Sequence, residues 1–245
     1  MTVLHWVELG REALSRTLPE AIVLLPTGSV EQHGPHLPTG TDTFLSLEVC
    51  ERAAELAAAS IKRDILMAPA IPIGASDHHL PFGGTISLKP ETFFAVLLDV
   101  LLSIHAAGAR RLLILNGHGG NTGLCNAAAA AAAAHTDLEV AQLDYWLLAR
   151  HYAPTTGSAP IPGHAGQFET SLMLAVHPEL VGARPTREHS PQLKAFQSAN
   201  LHSAHDWMSL QGFTDSPALA SAEQGKLWVD GMIEELSERL ITYTN

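Results

Sequence analysis

Short apolar runs alternate with amphipathic stretches along this chain. Ala21–Pro26 (AIVLLP), Ile65–Ile73, Arg111–Leu115 (RLLIL) and Leu138–Leu143 read as strands. Pro69 and Pro72 interrupt the second run, which makes that strand irregular or places it near an edge. Helical spacing covers Phe44–Ser60, entered through Thr41, Asp42 and Thr43. It also covers Pro90–Ala107, with proline in its first turn and Gly108 just past its end. Further helices are the Ala-rich Thr122–His135, Gly166–Val176, and an amphipathic Ala222–Tyr243 weakened by Gly225 and Gly231. The strands are apolar throughout instead of alternating. That pattern predicts a mostly parallel sheet buried on both faces by helices, a three-layer α/β/α arrangement. Val181–Ser221 is rich in Pro, Ser and His and reads as loop-rich and interfacial. No repeat or long linker divides the chain, so residues 1–245 are expected to form one domain.

Charge removes several function classes. The net charge is -11, with 25 acidic against 14 basic residues, and no basic stripe offers counterions to phosphates. Nucleic acid and anionic membranes are therefore not expected partners. No apolar stretch is long enough to span a bilayer, and no basic, then apolar, leader opens the chain. Cys50 and Cys125 stand apart in helical contexts and read as reduced packing residues, which points to the cytoplasm. The 14 histidines match Lys and Arg together. Only their clustering is informative, because most histidines serve surfaces and cores.

Ligands of open parallel sheets bind beyond the carboxyl ends of the strands. A run from Gly28 to Asp42 (GSVEQHGPHLPTGTD) follows the first strand directly. Glu31 and His33 are two residues apart and share a side in extended backbone. The surrounding Gly and Pro form a rigid loop that can return Asp42 to the same place. Taken alone, Asp42 also suits a helix cap. A second run, Asn116 to Asn121 (NGHGGN), follows the third strand and sets His118 in a glycine turn. It matches no Walker or Rossmann spacing. A third, Gly163 to Ser171 (GHAGQFETS), places His164 and Glu169 at a helix entry, where a carboxylate also satisfies the dipole. A fourth, Gly74 to Thr85, brings Ser76, Asp77, His78 and His79, with Ser76 and His78 expected on a substrate-facing wall. Glu31, His33, Asp42, His118 and Glu169 together offer three carboxylates and two imidazoles, enough for two divalent cations (Zn, Mn or Fe) if Asp42 bridges. His164 would move the proton to a leaving nitrogen, and the N–H groups of Gly119 and Gly120 would face an oxyanion. A serine hydrolase using Ser29 or Ser76 lacks the G-x-S-x-G elbow. A non-catalytic zinc site would be expected to carry cysteines, and this set has none.

GSVEQHGPHLPTGTDT, NGHGGN and GHAGQFETS, in this order and spacing, resemble the creatininase family over nearly the whole chain. The resemblance implies a three-layer fold, a binuclear metal site, hydrolysis of an amide, cyclic amide or formamide, and a homo-oligomer, often a hexamer. By motif match it implies that Glu31, His33, Asp42 and His118 are metal ligands, with Asp42 bridging, and that His164 is the catalytic histidine. Two departures follow. True creatininases carry glutamate where this chain has Gly120, with Glu169 as the replacement ligand. They also carry a tryptophan before the third motif, where this chain has Ala159 to Gly163, leaving Trp146 as the candidate pocket tryptophan. NGHGGN is more similar to relatives that trim a peptide in mycofactocin maturation or deformylate a formamidopyrimidine nucleotide. Only Lys89, Arg110 and Arg111 lie near the motifs in sequence to meet a phosphate.

Overall fold

In the computed structural model, residues 2–151, 161–188 and 203–243 are described. Five parallel strands form one sheet in the order β1-β3-β2-β4-β5. They are β1 (Val3–His5), β2 (Ile22–Thr27), β3 (Ile65–Met67), β4 (Arg111–Asn116) and β5 (Glu139–Asp144). The helices are α1 (Arg11–Thr17), α2 (Thr41–Ala58), α3 (Pro90–Ala106), α4 (Thr122–His135), α5 (Gln167–Val176), α6 (Ala204–Ser209) and α7 (Ala222–Tyr243). None of the described helices is long and apolar enough to cross a membrane.

The two faces of β2 show why a continuous apolar run is required. Ile22 and Leu24 pack with Leu45, Val49 and Ala53 of α2 and with α5 and α7. Val23 and Leu25 pack with Phe93, Leu97 and Leu101 of α3 and with Cys125 and Ala128 of α4. Each helix turns a stripe spaced three or four residues apart toward the sheet. Both cysteines are free and buried.

Two elements escape the periodicity reading. β1 has three residues and α1 seven, too few for a period to register. β3 lies second from the edge, covered by β1. Its ladder stops at Met67. The chain still tracks β2 beyond that point, with Ile71 N–H donating to Pro26 O and Gly28 N–H to Ile71 O, each at 3.0 Å. Pro69 and Pro72 cannot donate, so the expected strand to Ile73 breaks into isolated bonds.

Gly225 lets α7 touch α5: a Cβ there would stand 1.7 Å from Ser171 O. In an open helix Gly→Ala stabilises by about 1 kcal/mol. Here Gly225→Ala is expected to destabilise by about 1–3 kcal/mol through overpacking. Thermal unfolding should therefore begin roughly 2–12 °C lower; a raised midpoint would mean the helices are free to separate.

Topology places the site. α2 leads from β2 toward β3 on one side, and α4 leads from β4 toward β5 on the other. The carboxyl ends of β2 and β4 therefore flank the switch point where ligands of such sheets bind. Thr27, Asn116 and Asp144 are register partners along that edge. Thr27 Oγ1 donates to Asn116 Oδ1 at 3.0 Å, and Asn116 Nδ2 donates to Asp144 Oδ1 at 2.8 Å.

Candidate metal centre

The loop after β2 delivers Glu31 and His33, and the same loop enters α2 with Asp42 in its first turn. Asp42 is not a cap: Gly40 occupies that position and no side chain caps the helix. Its carboxylate instead reaches two imidazoles, with Oδ1 at 3.1 Å from His33 Nε2 and Oδ2 at 3.3 Å from His118 Nδ1. Gly117 permits this approach, because a Cβ there would lie 2.3 Å from Asp42 O.

His118 stands at the end of β4 with its backbone held by Asn116, which accepts from His118 N–H and donates to His118 O. Its Nε2 lies 3.2 Å from Ala75 O and 3.1 Å from Ser76 Oγ. A carbonyl only accepts, so Nε2 carries a proton. Nδ1 faces Glu31 Oε2 at 3.1 Å and Asp42; it donates a second proton to them without cations and would present its lone pair on that side with one bound. Ser76 is fully buried behind this ring and bonds Ser29, also fully buried. The sequence placed Ser76 on a substrate-facing wall; it instead backs His118. Neither serine is exposed as a nucleophile.

Glu169 rises from the first turn of α5, and its Oε2 accepts from Ala165 N–H at 2.6 Å and lies 3.8 Å from His33 Nε2. It therefore sits on the His33 side of Asp42. Gly120 belongs to the His118 side, where a Cβ would meet Ala75 O and His118 Nε2 at 2.4 Å. Gly119 and Gly120 form an exposed turn opening α4.

His164 Nε2 lies 2.8 Å from Gln32 O, and its Nδ1 faces Glu31 Oε1 at 3.6 Å. Its backbone is clamped by Thr214, which bonds both His164 N–H and His164 O. Asp215 caps α5 by accepting from Gln167 N–H at 2.9 Å. His78 is half-buried, stacked near His118 with centroids 5.8 Å apart, and Trp207 of α6 packs 4.8 Å from it. Trp207 also edges His79 and His164. Trp146, the tryptophan expected at the pocket, is buried in the core against Tyr145. Thr214, Asp215 and Trp207 all come from the segment read as loop-rich, and no local pattern announces them.

Among the described residues, three donor sets gather ligand atoms within 4.8 Å of one another: Glu31, Asp42 and His118; His33, His164 and Glu169; and Glu31, His79 and His164. Glu31 Oε2, His33 Nε2 and Asp42 Oδ2 are buried and make no well-aligned hydrogen bond, although each faces an oppositely charged group at 3.1–3.3 Å. Lone pairs converging in this way, shielded from water, fit cations. The ionisation behaviour agrees. Burial alone would lower His33, yet Asp42, Glu169 and Glu31 push it up to about 10. Burial opposes a proton on His118 too, and Glu31 and Asp42 raise it well above the usual histidine range. Burial would raise Glu31, but His118, His79 and His164 hold it well below the usual range. Burial takes Glu169 to about 8, with Asp42 and Glu31 adding to it against His33. Burial, His33 and His79 keep His164 well below the usual range, hence neutral. The carboxylates thus demand positive charge at His33 and His118, where cations would supply it.

The family model described as creatinine amidohydrolase matches residues 4–240. A mycofactocin precursor peptide peptidase of Mycobacterium tuberculosis is 34% identical over 95% of this chain and 90% of its own length. A creatinine amidohydrolase of Pseudomonas putida is 28% identical over 90% of this chain and 89% of its own. Among solved structures, one described as "Creatininase Mn" superposes with a TM-score of 0.84 at 25% identity, covering 98% of each chain. Another, a mutant creatininase of "Zn-Zn type", gives a TM-score of 0.80 at 26% identity over 98% of this chain and 97% of that one. With its sheet, its motifs and these relatives in agreement, the chain belongs to the creatininase family, hydrolases of amide carbon–nitrogen bonds.

Proposed function

We propose that this protein binds two divalent cations and hydrolyses a neutral, peptide-like amide. The observation that carries the reading is the convergence of three buried atoms, Glu31 Oε2, His33 Nε2 and Asp42 Oδ2, which meet their charged neighbours at 3.1–3.3 Å outside hydrogen-bond geometry. Glu31, Asp42 and His118 would hold one cation, and His33, Asp42 and Glu169 the other, with Asp42 shared. When bound, such cations polarise a carbonyl and make water nucleophilic near neutral pH.

The chain's own residues supply the rest. His164 donates its Nε2 proton to Gln32 O, which leaves Nδ1 free toward the centre. Neutral His164 accepts a proton at Nδ1 and passes it to the leaving nitrogen. The exposed Gly119–Gly120 turn directs backbone N–H groups at the developing oxyanion. His78 and Trp207 wall the approach with aromatic faces. A cavity of about 520 Å³ flanks the centre, lined in part by Gln32, His33, Leu37, Phe82 and Phe213. Among the described residues its lining holds no Lys or Arg, and Arg187 stands behind it, stacked 4.0 Å over the Phe213 ring, so the surface suits an uncharged side group. Arg111 opens β4 at the end opposite the site, roughly 16 Å away at the rise of an extended strand. A mycofactocin-type peptide is therefore favoured over a nucleotide formamide, in line with the identity to the mycobacterial peptidases. Exposed Val7, Ile86, Leu219 and Leu227 fit burial in a homo-oligomer.

The test strips the protein with a chelator and assays short peptides, cyclic amides including creatinine, and formamides. Activity should vanish and return with Zn²⁺, Mn²⁺ or Fe²⁺, and peptides should be turned over best. Full activity in the stripped protein would refute the reading.

A pH signature follows from the same cluster. His33 is raised from 6.5 to about 10 and Glu169 from 4.5 to about 8. Between each pair of values the folded, cation-free protein holds more protons than the unfolded chain, so stability is lost as pH rises. Cations replace those protons. The melting temperature of stripped protein should fall between about pH 6.5 and 10, and that of loaded protein should fall less. Parallel curves would separate these groups from the cations.

A further inference from the structure

Gln32 stands between the two expected ligands Glu31 and His33, and no step above requires its side chain. It is 8% exposed, and Gly212 packs so closely that a Cβ there would lie 2.5 Å from its Oε1. Oε1 accepts from Gly34 N–H at 3.0 Å, which fixes the amide with Nε2 as donor. Nε2 lies 2.9 Å from His79 Nδ1. A proton on that nitrogen would clash with the amide, so Nδ1 accepts and the neutral His79 ring carries its proton on Nε2. His79 Nε2 faces Glu31 Oε1 at 3.4 Å.

The other nitrogen facing Glu31 Oε1 is His164 Nδ1. His164 Nε2 lies 3.0 Å from Gln32 Nε2 and 2.8 Å from Gln32 O. The closer oxygen can only accept, so the His164 proton sits on Nε2 and is directed at Gln32 O, the amide keeping its own proton for His79, and His164 Nδ1 is bare. Of the two nitrogens, His79 Nε2 is thus the donor. Both Glu31 and His79 are 1% exposed, which denies the carboxylate water as a substitute. The His79 ring is itself held by stacking on His164, with centroids 4.2 Å apart.

We propose that His79 is a positioning residue, with its tautomer set by Gln32: it steadies Glu31 Oε1 so that Oε2 is presented beside His118 Nδ1 and Asp42. The inference rests on the metal reading above. Outer-shell partners of this kind are worth 10–100-fold in metal affinity.

The experiment titrates chelator-stripped protein with Zn²⁺ against a chromophoric competitor, with circular dichroism as the check on folding. His79→Phe keeps a stacking ring but has no donor, and should weaken one binding step by about 10–100-fold. His79→Gln restores an N–H near the same place and should recover most of the affinity. Gln32→Met should also weaken binding and add little when combined with His79→Phe, because both changes remove one interaction. Wild-type affinity in folded His79→Phe, or His79→Gln binding no better than His79→Phe, would overturn the inference. Should His79→Phe fail to fold, Gln32→Met binding as tightly as wild type would overturn it instead. Wild-type protein that takes up no Zn²⁺ would overturn the metal reading itself, an outcome distinct from the others.

Discussion

Asp42→Asn is expected to abolish turnover and to release cations from both halves of the centre. Among the described residues the Asp42 carboxylate alone reaches His33 on one side and His118 on the other, at 3.1 and 3.3 Å. An amide keeps the shape, removes the shared negative charge and puts a donor where a second acceptor stood. Lewis-acid stabilisation is worth several kcal/mol. At about 1.4 kcal/mol per tenfold, a loss of about 5 kcal/mol is roughly 10³–10⁴-fold in rate. Metal content measured on purified protein should fall alongside kcat. Asp42 sits in the first turn of α2 without capping it, so the helix should survive and circular dichroism should be unchanged. Full metal content with lost activity would move Asp42 from ligand to another role.

His164→Ala carries the second large effect. Proton transfer by a positioned side chain contributes about 10²–10⁴-fold. The variant should lose turnover in that range and keep its cations. The geometry makes this a sharp test, because His164 Nδ1 lies 3.6 Å from Glu31 Oε1 and belongs to a candidate donor set with His33 and Glu169. Metal content falling in step with turnover would make His164 a ligand. Thr214 offers a control, since it bonds the backbone of His164 and Asp215 Oδ1 but not the His164 ring. Thr214→Val should therefore cost much less than His164→Ala.

The sequence exposes those parts of the site that local rules govern. Glu31 and His33 share a side because they are two positions apart, and the loops carrying Glu31 and His118 follow strands that read as apolar runs. The fold order follows from the same strands, with β1 lost because three residues carry no period. Whatever depends on long-range packing stays hidden. Ser76 and His78 are two residues apart, yet one is fully buried behind His118 and the other lies half-open beside Trp207. Nothing in their types distinguishes them. Trp146, the expected pocket tryptophan, lies in the core, and Trp207 stands at the site unannounced, because the helix carrying it is six residues long and lies in a segment without periodicity. Gln32 looks like a spacer between two ligands; its role depends on His79, 47 residues away, and on His164, 132 residues away. Gly225 reads as a weak point in α7 until Ser171 O is found against it.

The most direct measurement is anomalous diffraction from crystals loaded with Mn²⁺ or Zn²⁺, collected on both sides of the metal's absorption edge. Two peaks should appear, one bounded by Glu31, Asp42 and His118 and the other by His33, Asp42 and Glu169. Density at any other group of side chains, or none within reach of Asp42 in catalytically active crystals, would contradict the account.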